Sequence, residues 1–192
     1  MNILNPPDII RAITPLNLFA RFPDGRPQVP DDLLERMKTM TSEEAWSILD
    51  REKYLFQFEG GWFRTHPERI LVGRAVTAQM LPYRPDFHDV IQKQGEADGR
   101  IGGQNSWVID TLLPGDVTVV DLFGKITDGT FVGDNLSTAV AARTQAGAVI
   151  DGGIRDYQGV RELTNVAFFC RGLDPTPIRN TTLAGINIPI RI

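Results

Sequence analysis

Cysteine is almost absent from this sequence: Cys170 stands alone among 192 residues. An internal disulfide is excluded, and a reducing compartment, the cytoplasm, is the expected location. Histidine is nearly as scarce, with only His66 and His88. Their separation matches no metal-ligand spacing, so both are expected to be surface or structural residues. An excess of positive charge is missing too. With 20 Lys and Arg against 24 Asp and Glu the net charge is −4. No basic stripe offers to neutralise phosphates, which speaks against a nucleic-acid partner. A small anionic substrate stays open, because one local arginine can outweigh the global balance. No apolar run reaches the roughly 20 residues that span a bilayer. The opening Met1-Asn2-Ile3-Leu4-Asn5-Pro6-Pro7 carries neither a basic nor an apolar signal region, so no membrane association is expected.

What is present is an ordinary globular composition, 42% hydrophobic and 23% charged, of a length that suits one domain with an N-terminal attachment. Proline recurs at positions 6, 7, 15, 23, 27 and 30, which favours turns over packed elements. Two short helices are expected after it. Pro30-Asp31-Asp32 opens one through Leu33, Leu34 and Met37, and Thr41-Ser42-Glu43-Glu44 supplies a capping-box pattern for another through Trp46, Ile48 and Leu49. Gly60-Gly61 then breaks the pattern. Residues 1–68 are read as an extension, an arm or adaptor whose aromatics (Phe19, Phe22, Trp46, Tyr54, Phe56, Phe58, Trp62, Phe63) need a surface to bury against.

Residues 69–192 read as an α/β core. Ile70 to Ala78 is a strand candidate, and Pro85-Asp86 starts a short helix to about Gln94. Pro114-Gly115-Asp116 is a tight turn feeding the apolar run Val117 to Asp121. A glycine-containing loop over Gly124 to Gly133 is expected to lead into a helix from Asn135 to about Gln145, with Asp134 as its N-cap. Ala148-Val149-Ile150 is a second buried strand, Tyr157 to Leu163 a helix, and Val166 to Cys170 a third strand. Gly102 to Ser106 reads as a polar loop. Alternating strands and helices predict parallel pairing with right-handed crossovers, and in such sheets ligands gather beyond the carboxyl ends of the strands.

Two loops at such ends carry the chemistry. Asp134 in Gly133-Asp134-Asn135-Leu136 is followed, after 20 intervening residues, by Arg155-Asp156 in Gly152-Gly153-Ile154-Arg155-Asp156. One guanidinium, two carboxylates and free helix-start N–H groups could meet there, a usable site for a divalent cation and a small keto acid. Each piece also has a plainer reading: Asp134 alone is commonly a structural cap, and an isolated Arg-Asp at a helix start a surface cap. Cys170, inside an apolar run, reads as a packed thiol. Gly152-Gly153 lacks the third glycine of a dinucleotide fingerprint. Nothing near Lys125 desolvates it for Schiff-base chemistry.

The stretch from Gly133 to Asp156, with Pro114-Gly115-Asp116 and Thr176-Pro177, resembles the class II pyruvate aldolases that cleave 4-hydroxy-4-methyl-2-oxoglutarate, in the superfamily of the regulator of ribonuclease E activity A. The resemblance runs from about Val72 to Ile192. It implies a β/β/α swivelling-domain core and assembly as a trimer or hexamer. It also implies carbon–carbon lyase activity that releases pyruvate through a metal-stabilised enolate, by aldol cleavage or oxaloacetate decarboxylation. By the same resemblance Asp156 would ligate Mg²⁺ or Mn²⁺, and Asp134 would hold water bound to that metal. Arg155 would contact the keto-acid oxygens and the developing enolate. The N–H groups of Asn135 and Leu136 would receive the substrate carboxylate, with Gly133 allowing close approach. Elementary chemistry agrees, since cleavage beside a keto group needs a Lewis acid and a fixed positive charge near the forming oxyanion. Family members continue beyond a segment like Ile190-Arg191-Ile192, read here as strand, so the C-terminal part of the fold is expected to be missing. The superfamily also implies a second class of function, a non-catalytic regulator that works by docking to a partner.

Overall fold

The computed structural model describes residues 3–192. Its frame is a six-stranded sheet. Strand β1 is Phe63–Arg64, β2 Arg74–Pro82, β3 Asp116–Val132, β4 Gly147–Ile154, β5 Ala167–Leu173 and β6 Thr181–Ile186, in the spatial order β1-β5-β4-β3-β2-β6. The four central strands are parallel, and the short outer strands β1 and β6 run antiparallel to them. One face carries the core. Val76, Ala78, Met80, Val120, Ala148, Ile150, Phe168 and Cys170 are buried there against Ile91, Trp107, Val140 and Val160. The crossover helices supply that cover: α4 Pro85–Ala97 and α5 Gln104–Ile109 precede β3, α6 Asp134–Thr144 joins β3 to β4, and α7 Tyr157–Glu162 joins β4 to β5. This is the mixed α/β architecture anticipated from the alternating pattern. Cys170 is a core thiol, its pKa pushed up to about 11 by burial. Among the described residues no helix is long and apolar enough to cross a membrane.

Three local expectations need correction. The loop expected over Gly124 to Gly133 is a continuation of β3, which pairs with β4 as far as Val132–Ile154 through three shifts of register. Positive φ at Phe123, Gly124 and Asp128 breaks the pleat there, so the segment lacks the two-residue periodicity that marks a strand. The polar stretch from Gly102 contributes helix α5 from Gln104 onward. The last strand ends at Ile186, and Ile190 to Ile192 lie outside any strand.

Before β1 the chain forms α1 Pro7–Ile13, α2 Asp31–Met37 and α3 Ser42–Arg51. The expected capping box is made in full: Glu44 N–H donates to Thr41 Oγ1 at 3.1 Å, and Thr41 N–H donates to Glu44 Oε2 at 2.8 Å. Parts of the first 68 residues join the core. Ile3 is buried in it, Leu4 bridges to Ile186, and β1 extends the sheet. Arg26 reaches the foot of β3, where its two terminal nitrogens donate to Asp116 at 3.0 Å each. Asp116 is fully buried, so Arg26→Ala strands a charge in the interior. We expect a loss of about 3–5 kcal/mol in urea unfolding. A loss within the error of the midpoint would show that the pair contributes nothing.

Candidate functional site

The register of the sheet brings the two motif loops together. Val132 and Ile154 are paired neighbours at the carboxyl ends of β3 and β4, and Arg155 N–H donates to Val132 O at 3.0 Å. Gly133 and Arg155 therefore leave the sheet side by side. A side chain at Gly133 would collide with the Asp156 carboxylate and lie 2.8 Å from Arg155 Nε. The backbone there is ordinary, at φ −116° and ψ −162°. A Cβ at Gly133 would thus compete with Arg155 and Asp156 for the volume their side chains occupy.

Asp156 is the strained member. It sits at the start of α7 with φ 53° and ψ 41°, and its carboxylate caps no helix N–H. A non-glycine residue in the left-handed region costs about 1–2 kcal/mol, and such outliers collect where function fixes a side chain. Here the conformation delivers the carboxylate to Arg155, with Nε 3.3 Å from Oδ2 and side-chain exposures of 38% and 46%. No backbone or hydroxyl group among the described residues takes that carboxylate, so it keeps free lone pairs at an accessible edge.

Asp134 lies across from them as the first residue of α6. The N-cap is Gly133, not Asp134 as anticipated, and no side chain caps the helix. Asp134 instead accepts from the N–H of Asn135 through Oδ1 at 2.7 Å. Of the two amides expected to face a carboxylate, that of Asn135 is thus engaged locally. α7 closes against this side chain, since Gly159 would place a Cβ 2.9 Å from Asp134 Cβ. The structure assembles Gly133, Asp134, Asn135, Leu136, Arg155 and Asp156 at one edge of the sheet.

Among the described residues no three His, Cys, Asp or Glu side chains gather into a ready-made metal cage. The donor set fits a hard cation held loosely: one accessible carboxylate, Asp156, with Asp134 nearby, suits an ion that keeps most of its water. The histidines take no part. His66 is buried against Thr65 Oγ1 at 2.8 Å, and His88 shares a hydrogen bond with Thr182 Oγ1 at 2.9 Å. Asp121 is occupied by Gln79 and the N–H of Phe123. Asn105 belongs to the polar stretch Gly102 to Ser106, to which the sequence assigns no role. Its Nδ2 donates to Phe131 O at 2.7 Å, bracing β3 two residues before Gly133.

A model of the RraA-like family, described as Aldolase/RraA, matches residues 47–192. The chain belongs to this family. The match begins within α3 and so reaches further toward the N-terminus than the motif resemblance did. Solved structures carry the same fold. One is RraAS2 of Streptomyces coelicolor, described as an unusual member of the RNase ES inhibitor RraA protein family, at 24% identity and TM-score 0.64 over 83% of this chain and 73% of that one. Another is an uncharacterised protein of Pseudomonas syringae pv. tomato, at 24% and 0.63 over 85% and 70%. A third, described among novel cellulases from microbes of the gut ecosystem, aligns at 19% and 0.66 over 100% and 78%. At these identities the likeness establishes the fold of this RraA-like chain and nothing about activity.

Proposed function

We propose that this RraA-like protein is a divalent-metal-dependent carbon–carbon lyase that releases pyruvate from a 2-keto acid. Both aldol cleavage of a 4-hydroxy-4-methyl-2-oxoglutarate type of substrate and decarboxylation of oxaloacetate fall within its reach. The observation that carries the reading is the crowding at Gly133, where the space of one missing side chain is taken by Arg155 and the uncapped Asp156 carboxylate. A structural pair of caps has no need of that arrangement. Asp156 would hold the cation, Mg²⁺ or Mn²⁺, which supplies Lewis-acid polarisation of the keto oxygen. The start of α6, with the Leu136 N–H among its donors, receives the substrate carboxylate. Arg155 faces the keto and carboxylate oxygens and stabilises the negative charge that develops as the bond to the leaving carbon breaks. The bonding pair then rests in the pyruvate enolate, which takes up a proton to give pyruvate. Asp134 holds water at the site and moves protons through it. The protein acts in the cytoplasm as a homo-oligomer, a trimer or hexamer.

The test is pyruvate release from oxaloacetate, coupled to a reporter dehydrogenase. Turnover is expected with added Mg²⁺ or Mn²⁺ and should vanish in excess EDTA, while the circular-dichroism spectrum stays unchanged. Undiminished turnover in EDTA removes the metal-dependent mechanism. Absence of turnover with every divalent ion, from a folded protein, leaves the regulator reading in its place.

A further inference from the structure

A second hollow lies at the sheet edge beside the motif loops. It is a cavity of about 330 Å³ where β2 ends and β6 begins, bounded by the first half of α4 and the start of α5. None of Gly133, Asp134, Arg155 and Asp156 lines it. Met80 and Ile178 make part of its wall apolar. Tyr83 packs on His88 at another part, with ring centroids 4.8 Å apart and planes 53° from parallel. Among the described residues no acidic side chain lines the cavity, and Arg179 does.

Gln104, only 8% exposed, is the telling residue of this wall. Strands β2 and β6 slip in register between Gln79 and Met80, and there Gln104 Oε1 accepts from the N–H of Leu183 at 2.7 Å. That bond sets which way the amide lies, because its oxygen alone can accept. Its Nε2, with two N–H donors, is buried and has no partner among the described residues. Buried polar groups in folded proteins are hydrogen-bonded with few exceptions, so a donor left over in a cavity wall calls for an acceptor that the chain does not supply. Two neighbours ask for the same thing. Arg179 spends only Nε on Asp128 Oδ1, at 2.9 Å, and both its terminal nitrogens remain free. His88 uses Nδ1 with Thr182 Oγ1 at 2.9 Å, which leaves its Nε2 available.

We propose that this cavity is a second small-molecule site, which takes an organic monocarboxylate with a flat apolar body. The carboxylate would accept from Gln104 Nε2 and from the Arg179 guanidinium, whose planar fork suits two oxygens on one carbon. The apolar body would lie against Met80, Ile178 and the Tyr83–His88 pair. An apolar wall with a few polar groups of one kind is the usual make-up of a ligand pocket, and the volume is at the small end of that class. A bare inorganic anion would satisfy the donors and leave the apolar wall unused. The site does not depend on the lyase reading, and it can hold if the oxaloacetate test fails.

Titration calorimetry of the whole chain with benzoate tests it, with benzamide as the uncharged probe of the same shape and inorganic phosphate as the anion without an apolar body. Benzoate is expected to bind saturably, benzamide far more weakly, and phosphate should not displace benzoate. Arg179→Met and Gln104→Met should each weaken benzoate binding by about 10-fold or more, the worth of a hydrogen bond to a charged group. Gln104→Met also strips the Leu183 N–H of its acceptor. Arg179 is more than half exposed, so Arg179→Met should fold normally and carries the test if the other variant does not. Arg155→Lys should bind benzoate as the wild type does. No saturable binding of benzoate, equal binding of benzamide, displacement by phosphate, or full affinity in Arg179→Met overturns the proposal. So does loss of binding in Arg155→Lys, which would put the benzoate at the motif loops.

Discussion

Gly133→Ala is expected to reduce kcat/KM for oxaloacetate by about 10²-fold, the cost of displacing a reacting group by an ångström or so, while leaving the protein folded. The added methyl group overlaps Asp156 Oδ2 and sits 2.8 Å from Arg155 Nε and 3.0 Å from Arg155 Cγ. Those neighbours are parts of partly exposed side chains that can swing away, and alanine adopts the φ and ψ of this position without strain. The clash is therefore relieved by moving the two groups the proposed chemistry needs, at little cost to the fold. The melting temperature should stay near the wild-type value, and Mn²⁺ binding, followed by calorimetry, should weaken. An alanine variant with full activity would show that the crowding at Gly133 is packing alone, and a variant that unfolds would show that the neighbours cannot yield.

Much of this arrangement is written in local signals, and the missing parts are those that depend on distant partners. Helices α2, α3 and α4 announce themselves because Pro30-Asp31, Thr41 with Glu44, and Pro85-Asp86 satisfy or tolerate unpaired helix-start N–H groups in any context. The strands around Val120, Ile150 and Phe168 are legible as short apolar runs, and their alternation with helices fixes the parallel order. The spacing of Asp134 and Arg155-Asp156 places both at strand ends, and the adjacency of β3 and β4 then brings them together. By contrast, the far half of β3 has glycines at 124 and 129 and a left-handed Asp128. It is a strand because β4 supplies hydrogen-bond partners, and nothing in its own pattern says so. The Arg26–Asp116 pair spans 90 positions and has no sequence signature. Gly133 was legible as a glycine that something must approach. That the approaching atoms belong to Arg155 and Asp156 required the fold.

Arg155→Lys is expected to lower kcat/KM by about 10²-fold or more, the scale of losing a single oxyanion donor, with the decrease appearing in kcat as well as KM. Lysine keeps the charge but loses the planar fork that can meet two oxygens at once. An interaction that strengthens as the enolate forms acts on the rate, whereas one that merely holds substrate would move KM alone. Folding should barely change. Arg155 is 38% exposed and its ion pair with Asp156 spans 3.3 Å at the surface, and exposed pairs of this kind contribute at most about 1 kcal/mol. A bracing role forecasts the reverse, because an arginine that only holds the turn after Gly153 can be replaced with activity intact and some stability lost. Melting temperature and oxaloacetate turnover, measured on one preparation of Arg155→Lys, separate the two. Full activity with earlier melting would make Arg155 a structural residue, and the lyase assignment built around it would fall with it.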